Sequence, residues 1–328
     1  MLIVGPNGAG KTNLLEATHV AAQGFSPRTR RDTEIVRFGT PGGRIELEGR
    51  RAATPIRLEV VLRLGEGRRV VLNGATLPTA ERLRAEIGVL VFTPDRLAVV
   101  KGGPGLRRAY FDRALGRLNP ARASLPLEYA AAVAQRNAAL RRVRAGVSSS
   151  DAVEPWSEQV AELGTQLVAA RTALIAELAP GFAAVAFELG LDAAELGYEG
   201  GPVARADLDA RLERDLERGT TGIGPHLDDV AVLAGGRDLR SFGSQGEQRT
   251  AVLSLLLAEA EVLAARRGVA PLLLLDDVLS ELDERRRRVL AERVSGSGQT
   301  LVTATSRAVL PLEAEALVEV RPGEAWRV

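Results

Sequence analysis

Apolar residues recur at helical spacing in residues 11–23, and Gly24 follows them as a stop signal, so this segment predicts a helix. Alternating apolar and polar residues then take over, as in half-buried strands. The segments with this alternation are 44–50, 56–64 and 68–72. Asn73-Gly74 adds a hairpin turn signal, so the segments predict an antiparallel patch.

The pattern changes again beyond a predicted strand at 86–92. Long Ala/Leu/Arg/Glu segments predict a helical insertion made of 105–118, 121–144, 155–179 and 207–217. Strand and helix then return as a set: a helix over 244–267, a strand over 271–275, a helix over 284–294 and a strand over 300–303. This order predicts an α/β domain with a mostly parallel sheet, which the chain leaves and later re-enters.

Composition narrows the classes of protein. The 328 residues include 45% hydrophobic residues and carry a formal net charge of +1, which is typical of a globular chain with one large domain or two. No apolar run approaches the roughly 20 residues of a membrane span, so the protein is expected in the cytoplasm or on a partner, without a membrane. The absence of cysteine excludes disulfides and thiolate metal sites, and two histidines leave little scope for zinc. Each cluster of arginines, such as Arg107-Arg108, is interpreted as a solvated face, and nucleic-acid binding is the alternative.

The first candidate site follows the apolar run at residues 2–4. Its residues match the P-loop pattern G-x-x-x-x-G-K-[ST], in which backbone N–H groups and a helix N-terminus bind phosphate. Lys11 would reach the β- and γ-phosphates of a nucleoside triphosphate, and Thr12 would bind Mg²⁺. The predicted nucleotide-binding segment is Gly5, Pro6, Asn7, Gly8, Ala9, Gly10, Lys11, Thr12 and Asn13.

A second candidate site follows the buried strand at 272–275. Asp276 and Asp277 end this strand, where a P-loop enzyme places carboxylates. Asp276 would hold Mg²⁺, directly or through water, and Asp277 would orient the attacking water or accept its proton. Together with Lys11, these are the predicted catalytic residues. The alternative is that the acids merely mark where the chain reaches the surface.

The segment before the long helix at 244–267 is a third candidate. Ser244 and Glu247 have the spacing of a capping box. Gly246 in the first helical turn costs about 1 kcal/mol relative to alanine, so a phosphate approaching the backbone would explain it. Ser244, Gln245 and Gly246 are therefore predicted nucleotide contacts, and a plain helix cap is the alternative.

These three motifs, followed by Ser280-Glu281-Leu282-Asp283, resemble the ABC-type ATPases of the SMC/Rad50/RecF group. Within that group the chain is similar to the RecF family. The blocks that carry this resemblance are Val91–Leu97, Val100–Pro104, Arg107–Asp112, Gln135–Asn137, Gly224–Asp229 and Asp276–Asp283. The resemblance spans essentially the whole chain.

The resemblance implies an ABC-type P-loop ATPase head with a mixed sheet and an antiparallel β patch, and a helical lid inserted in the chain. The head would comprise 1–103 and 220–328, and the lid 104–219. ATP and Mg²⁺ would be bound between two copies, each P-loop facing the other copy's Ser244 motif. The implied partners are double-stranded or gapped DNA, RecR with RecO, and indirectly RecA, and hydrolysis would be slow and dependent on dimer and DNA.

The chain departs from the family at three places. Family members carry about thirty residues before the P-loop, whereas four precede Gly5, so strands and adenine contacts are expected to be missing. Leu227 stands where the family usually has Arg. No histidine occurs in Thr303-Ala304-Thr305, so sensing of the γ-phosphate there would use a hydroxyl.

Two residue assignments stay open. Asp95, after the strand at 86–92, would sense nucleotide or simply mark the strand end, and His226 is either a hydrogen-bonded structural histidine or functional.

Other classes of nucleotide-binding protein make different predictions. An ATPase subunit of a transporter predicts a histidine after the last core strand and a membrane partner. A GTPase predicts an N-K-x-D motif, which neither Lys11 nor Lys101 supplies, and a P-loop kinase leaves the Ser244 motif without a purpose.

Overall fold

A computed structural model describes residues 1–29, 31–51, 53–78, 83–84, 87–296, 298–311 and 313–328. The strands are, in chain order, β1 Leu2–Val4, β2 Gly42–Arg51, β3 Thr54–Arg63, β4 Gly67–Leu72, β5 Ala75–Thr76, β6 Val89–Phe92, β7 Ala194–Glu199, β8 Asp229–Ala234, β9 Arg237–Asp238, β10 Leu272–Leu275, β11 Thr300–Ala304, β12 Leu317–Arg321 and β13 Glu324–Arg327. The helices are α1 Lys11–Gln23, α2 Ala98–Lys101, α3 Pro104–Leu118, α4 Leu125–Arg144, α5 Glu154–Glu188, α6 Arg205–Ala210, α7 Leu212–Arg218, α8 Leu239–Phe242, α9 Gln245–Arg267 and α10 Glu284–Ser295.

The chain forms two compact units. The first comprises Met1–Arg96 and Leu263–Val328, and the second comprises Leu97–Val262. The predicted lid, 104–219, lies within the second unit. Residues 220–262 also belong to the second unit by their contacts, although the sequence assigned them to the head. The division into head and lid therefore stays a prediction.

The first unit contains a six-stranded sheet in the order β13-β12-β1-β11-β10-β6. All of its strands are parallel except β13, which pairs antiparallel with β12. Its core includes Ile3, Val91 and Leu274 from the sheet and Leu15 from α1. This arrangement confirms the predicted α/β class, because a strand such as β10 can be apolar throughout only when both of its faces are covered.

The second sheet of this unit, β2-β3-β4-β5, is antiparallel and confirms the predicted patch. Leu58, Val60 and Leu62 of β3 are buried and alternate with more exposed residues. They form one core cluster with Val20 of α1. The two-residue period thus gives this sheet one apolar face, and α1 contributes to both cores of the unit.

The second unit is built on α4 and α5, with the small sheet β7-β8-β9. The end predicted for the helix over 155–179 is wrong, because the corresponding helix α5 continues to Glu188 with Pro180 inside it. A proline inside a helix removes one hydrogen bond and costs about 3 kcal/mol. Phe182 and Val185 lie completely buried beyond it, and their burial offsets this cost. The single helix predicted over 207–217 is also wrong, since α6 and α7 meet at Arg211.

The segment Ser150–Glu188, which contains α5, is long and apolar enough to cross a membrane by length and composition alone. The core helix of a soluble protein meets the same criterion. Here Val160, Leu167 and Leu174 are buried in the second unit. Arg171 is buried as well and pairs with Asp112. The apolar side chains of α5 thus have protein neighbours. The sequence expectation that no segment is long and apolar enough to span a membrane is wrong for this helix.

Candidate nucleotide site

The carboxyl ends of four neighbouring parallel strands meet at one edge of the six-stranded sheet. β1 leads into the P-loop there, β10 into Asp276 and Asp277, and β6 into Thr93-Pro94-Asp95. β11 contributes Thr303 near its own end. Ligands of open α/β sheets bind outside the carboxyl ends of the strands, so this edge is the candidate site.

The P-loop has the backbone that its glycines predict. Gly8 and Gly10 have φ values of 80° and 105°, which residues with a side chain rarely adopt, and space is open where a Cβ would lie. Gly5 is required for another reason, because a Cβ there would lie 2.4 Å from the carbonyl oxygen of Val320. The loop ends at Lys11, where α1 begins, and the first N–H groups of a helix have no acceptor within it. These groups favour an anion.

Lys11 folds back across the loop. Its ammonium donates to the carbonyl oxygens of Gly5 at 2.8 Å and Pro6 at 3.0 Å. The residue is 9% exposed, yet no carboxylate in the described part of the chain pairs with it. A buried charge without a counter-charge is costly, so this ammonium is placed to meet an anion from outside the chain.

Asp276 is the centre of a polar cluster. Thr12 donates from Oγ1 to both carboxylate oxygens, at 3.1 Å and 2.9 Å, and Thr303 donates from Oγ1 to Oδ1 at 2.7 Å. Asp276 is 6% exposed and has no cationic partner among the described residues. The structure therefore brings together the two residues predicted to bind Mg²⁺.

Within the described residues, no group of three or more His, Cys, Asp or Glu side chains could hold a metal ion. Mg²⁺ in nucleotide sites is usually held by one or two protein oxygens, with phosphate and water completing its shell. The hydroxyl of Thr12 and the carboxylate of Asp276 are oxygen donors of this kind. Their close approach fits Mg²⁺ bound with a nucleotide.

Asp277 has left-handed backbone, with φ 50° and ψ 29°. Its N–H donates to Thr303 Oγ1 at 2.9 Å, and its carbonyl oxygen accepts from Ser280 Oγ at 3.0 Å. This conformation costs a non-glycine residue about 1–2 kcal/mol, less for Asp than for most. It turns the chain so that Asp276 is buried while Asp277 is exposed at the same edge.

Thr303 links the two acids, and sequence reasoning missed this. Its side chain is completely buried, accepts from the Asp277 N–H and donates to Asp276. The sequence suggested only that a hydroxyl near this position would sense the γ-phosphate. The sequence signal that could have revealed this role is a threonine within the buried strand β11, because a buried hydroxyl needs a hydrogen-bond partner.

Asp95 lies in a short 3-10 helix, Pro94–Leu97, at the end of β6. Its side chain is exposed and makes no hydrogen bond or ion pair with any described residue. Thr93, just before it, is buried. The chain therefore places Asp95 after a strand of the edge, and both interpretations made from the sequence stay open.

The Ser244 motif lies in the second unit, at the start of α9. Ser244 N–H donates to Glu247 at 2.8 Å, and Glu247 N–H donates to Ser244 Oγ at 3.3 Å, so the predicted capping box is formed. Gln248 is buried and donates to the carbonyl oxygens of Leu239 and Gly243. Among the residues that the structure describes, a Cβ on Gly246 would meet Ser244 Oγ alone, at 4.0 Å. Ser244, Gln245 and Gly246 are thus exposed on a firmly held helix start.

The second unit also holds an anchored loop, residues 221–229. Arg136 and Asp215 form an ion pair at 2.7 Å with both residues buried, and Arg136 also donates to Thr221 Oγ1 at 2.9 Å. Arg171 donates to the carbonyl oxygen of Pro225 at 2.7 Å. Arg107 donates two hydrogen bonds to the carboxylate of Asp229 and is 3% exposed. The interpretation of Arg107 as part of a solvated face is therefore wrong.

His226 is held within this loop. Its Nε2 lies 3.1 Å from the carbonyl oxygen of Thr221, so that nitrogen carries the proton, and Nδ1 accepts from the Tyr129 hydroxyl at 2.8 Å. Burial lowers the pKa of His226 and raises that of Tyr129. Both ring nitrogens are satisfied, which favours the structural alternative. Leu227 beside it is 56% exposed.

Comparisons with known proteins agree with this architecture. A protein-family model described as AAA domain, putative AbiEii toxin, Type IV TA system, matches residues 1–303. DNA replication and repair protein RecF of Myxococcus xanthus (strain DK1622) is 41% identical over 325 aligned positions, which cover 93% of this chain and 84% of the relative. RecF of Anaeromyxobacter sp. (strain K) is 38% identical and covers 98% of this chain and 91% of the relative.

Solved structures give the same result. The recombination mediator protein RecF with ATP, of the RecFOR pathway, superposes with a TM-score of 0.86 at 27% identity, covering 100% of this chain and 91% of that one. An SMC head bound to the C-winged helix domain of ScpA has a TM-score of 0.59 at 15% identity, covering 100% of this chain and 88% of that one. The fold is therefore that of an ABC-type ATPase, as the sequence predicts.

Proposed function

The chain belongs to the RecF family of DNA replication and repair proteins, and we propose that it is an ATP-dependent DNA-binding protein of recombinational repair. The observation that carries the ATP site is the pair of buried, uncompensated charges at one sheet edge. Lys11 lies in a loop shaped for phosphate, and Asp276 lies beside the hydroxyl of Thr12. A nucleotide bound with Mg²⁺ supplies the countercharge that each of them lacks.

Each residue of the edge has a defined role in this proposal. The segment Gly5–Asn13 binds the phosphates through its backbone, and Lys11 binds the β- and γ-phosphates. Thr12 and Asp276 hold Mg²⁺, which neutralises charge that develops on the phosphate oxygens. Asp277 orients the attacking water or accepts its proton, because its carboxylate is exposed at the edge. Asp95 senses the nucleotide from the end of β6.

The Ser244 motif completes the site on a second copy of the chain. The start of α9 presents exposed Ser244, Gln245 and Gly246, and among the described residues the nearest atom to a Cβ on Gly246 is Ser244 Oγ, at 4.0 Å. A helix start of this kind binds phosphate. We infer that two copies enclose ATP between a P-loop and a Ser244 motif, so that ATP closes the dimer and slow hydrolysis opens it.

DNA is the partner that this cycle controls. The dimer binds double-stranded or gapped DNA, works in the cytoplasm with RecR and RecO, and so helps to load RecA. The relatives that carry the DNA replication and repair description support this assignment. Under this proposal 1–103 and 220–328 act as the ATPase head and 104–219 as the lid.

Sedimentation with and without ATP and duplex DNA tests the proposal. Wild-type protein is expected to dimerise only with ATP and to bind DNA as the dimer. Ser244→Arg should retain ATP binding and block dimerisation, because the larger cation occupies the exposed helix start. Asp277→Asn should accumulate the ATP-bound dimer. DNA binding by a permanent monomer without ATP would contradict the proposal, and normal hydrolysis by Asp277→Asn would contradict the role of Asp277.

A further inference from the structure

We propose that four arginines around the turn 219–222 form the surface that contacts the phosphodiester backbone of duplex DNA. These turn arginines are Arg141, Arg144, Arg211 and Arg218. The inference rests on the proposed function, since it names the surface through which the DNA of that proposal is held. It follows from three features of the turn: convergence, rigidity and uncompensated charge.

The turn arginines converge from different helices. Arg144 of α4 donates to the carbonyl oxygen of Glu217 at 3.1 Å, and Arg141 to that of Gly219 at 3.4 Å. A Cβ on Gly219 would lie 2.9 Å from Arg141 Cγ and 3.3 Å from Arg144 Nη1. Arg218 ends α7 immediately before this glycine. The end of α4 and the end of α7 therefore bring three arginines to one place.

Arg211 extends the group to the other end of the turn. A Cβ on Gly222 would lie 3.0 Å from Arg211 Nη2. The Nε of Arg211 is buried and makes no hydrogen bond with any described residue. Arg211 is half-buried, so it adds positive charge beside the turn, while Arg141, Arg144 and Arg218 are exposed for direct contact.

The turn itself is rigid. Thr221 donates from its N–H and its hydroxyl to Asn137 Oδ1, at 2.7 Å and 2.8 Å. Gly222 N–H donates to Asp215 at 3.1 Å, and Asp215 is in turn held by Arg136. The backbone that the turn arginines surround is thus ordered before binding, which lowers the entropic cost of binding.

The charge of these arginines is uncompensated. None of the four pairs with a carboxylate of the described residues, although Glu213 and Glu217 lie on α7 among them. Arg141 and Arg144 each use one donor on a helix-end carbonyl, a contact that also stabilises α7. An arginine has five N–H donors, so most remain available, and Arg141, Arg144 and Arg218 are exposed.

The arginines of the antiparallel sheet, Arg44, Arg57 and Arg69, provide the contrast. Arg44 and Arg69 pair with Glu59 at 3.3 Å and 3.6 Å, and Arg57 pairs with Glu48 at 3.4 Å. These cations are exposed, like Arg141, Arg144 and Arg218, but carboxylates of the facing strands neutralise them. Exposure alone therefore does not distinguish a binding surface; the turn arginines combine unpaired charge with convergence on one place.

Duplex DNA fits this surface because its backbone is a continuous series of phosphates, which a group of unpaired guanidinium groups can bind together. Guanidinium groups form two-pronged hydrogen bonds with phosphate and carry no preference for base sequence. Each phosphate contact releases counterions, so affinity falls with salt with a slope of about −0.9 per contact. The number of contacts is therefore measurable.

The test replaces three exposed turn arginines, in Arg141→Gln/Arg144→Gln/Arg218→Gln, and measures binding of a duplex DNA with ATP present over a range of salt. We expect the salt slope to fall by about 2.7, which is three contacts, and affinity at 0.1 M salt to fall about 100-fold or more. ATP binding should be unchanged. The matched control is Arg44→Gln/Arg57→Gln/Arg69→Gln, which removes the same charge and should keep the wild-type slope.

A lysine version, Arg141→Lys/Arg144→Lys/Arg218→Lys, separates charge from folding. It retains three cations, so most of the salt slope should return even where the exact hydrogen bonds do not. A glutamine variant that keeps the wild-type salt slope overturns the proposal. The proposal also fails if the control variant of the antiparallel sheet loses as much salt slope as the glutamine variant of the turn arginines. Displacement of the DNA by millimolar inorganic phosphate alone would identify a free-phosphate site instead, and would also overturn it.

The proposed function can fail separately. Wild-type protein that dimerises with ATP but does not bind duplex DNA contradicts the DNA-binding function and this surface with it. Wild-type protein that binds DNA, together with glutamine variants that bind equally well, contradicts this surface alone.

Discussion

Buried charges have different partners at the nucleotide edge of the first unit and at the anchored loop of the second. At the nucleotide edge, Lys11 and Asp276 are nearly inaccessible, yet each is held only by carbonyl oxygens or hydroxyls. At the anchored loop 221–229, by contrast, Arg136, Arg107 and Arg171 each pair with a carboxylate. Charges that are paired within the chain hold structure together. Charges that lack a partner in the described residues are placed to receive a ligand.

The cost of a substitution should therefore appear in different measurements. Removal of one member of a buried pair leaves the other charge uncompensated and lowers the free energy of unfolding. Removal of a charge that is already uncompensated spares stability and lowers affinity for the ligand. The following substitutions test this distinction, and the largest expected effect comes first.

Arg136→Met should have the largest effect. The substitution leaves the buried Asp215 without its counter-charge and removes the hydrogen bonds to Thr221 and Ser157. The free energy of unfolding should therefore fall by about 3–5 kcal/mol. Urea unfolding followed by circular dichroism measures this. Arg136→Met/Asp215→Leu removes both charges and should recover part of the loss. A single variant that loses less than about 1 kcal/mol would show that this pair does not stabilise the loop.

Lys11→Met should weaken ATP binding by about 10–100-fold, since a hydrogen bond to a charged group contributes about 1.5–3 kcal/mol. Its stability in urea should stay close to wild type. Lys101→Met is a natural control, because Lys11 and Lys101 are the only lysines in the chain. Titration of a fluorescent ATP analogue gives both affinities. Equal affinities in the two variants would exclude the predicted role of Lys11.

Thr303→Val keeps the shape of the buried side chain and removes the hydroxyl that joins Asp276 to the Asp277 N–H. Groups that orient a metal ligand typically contribute 10–100-fold, so the Mg²⁺ concentration needed for half-maximal ATP hydrolysis should rise by about tenfold. Thr303→Ser keeps the hydroxyl and should behave like wild type. An unchanged Mg²⁺ dependence in the valine variant would mean that Asp276 is oriented without Thr303.

The smallest effect concerns pH. Burial keeps His226 neutral by lowering its pKa, while the unfolded chain binds a proton near the ordinary value of about 6.5. The unfolded state then carries more protons, so stability should rise with pH and be lost as pH falls through about 6.5. The neighbouring charges are Arg108, Asp228 and Asp215. His226→Gln should flatten the pH dependence of urea unfolding between about pH 7.5 and 5.5, and a slope equal to wild type would assign the effect to another group.

Local patterns made much of the fold predictable. The helix after the P-loop, the long helix after Ser244 and the buried strand before Asp276 lie where periodicity, capping and apolar runs place them. The strands β7, β12 and β13 were not predicted. They are short and partly polar, and strands of this kind are defined by their neighbours more than by their own sequence. The extension of α5 past Pro180 likewise depends on packing, which a proline rule applied to the sequence does not include.

The candidate site divides in the same way. The P-loop, the two acids after β10 and the capping box of α9 are predictable from the sequence, because each depends on residues a few positions apart. The partner of each charge depends on the folded chain: Thr12 contacts Asp276 across 264 positions, and Arg107 contacts Asp229 across 122. An arginine on a helix has the same local sequence pattern whether it is buried in a pair or exposed at a turn. The partner of such an arginine, and therefore its role, depends on which residues from distant parts of the sequence the fold places beside it.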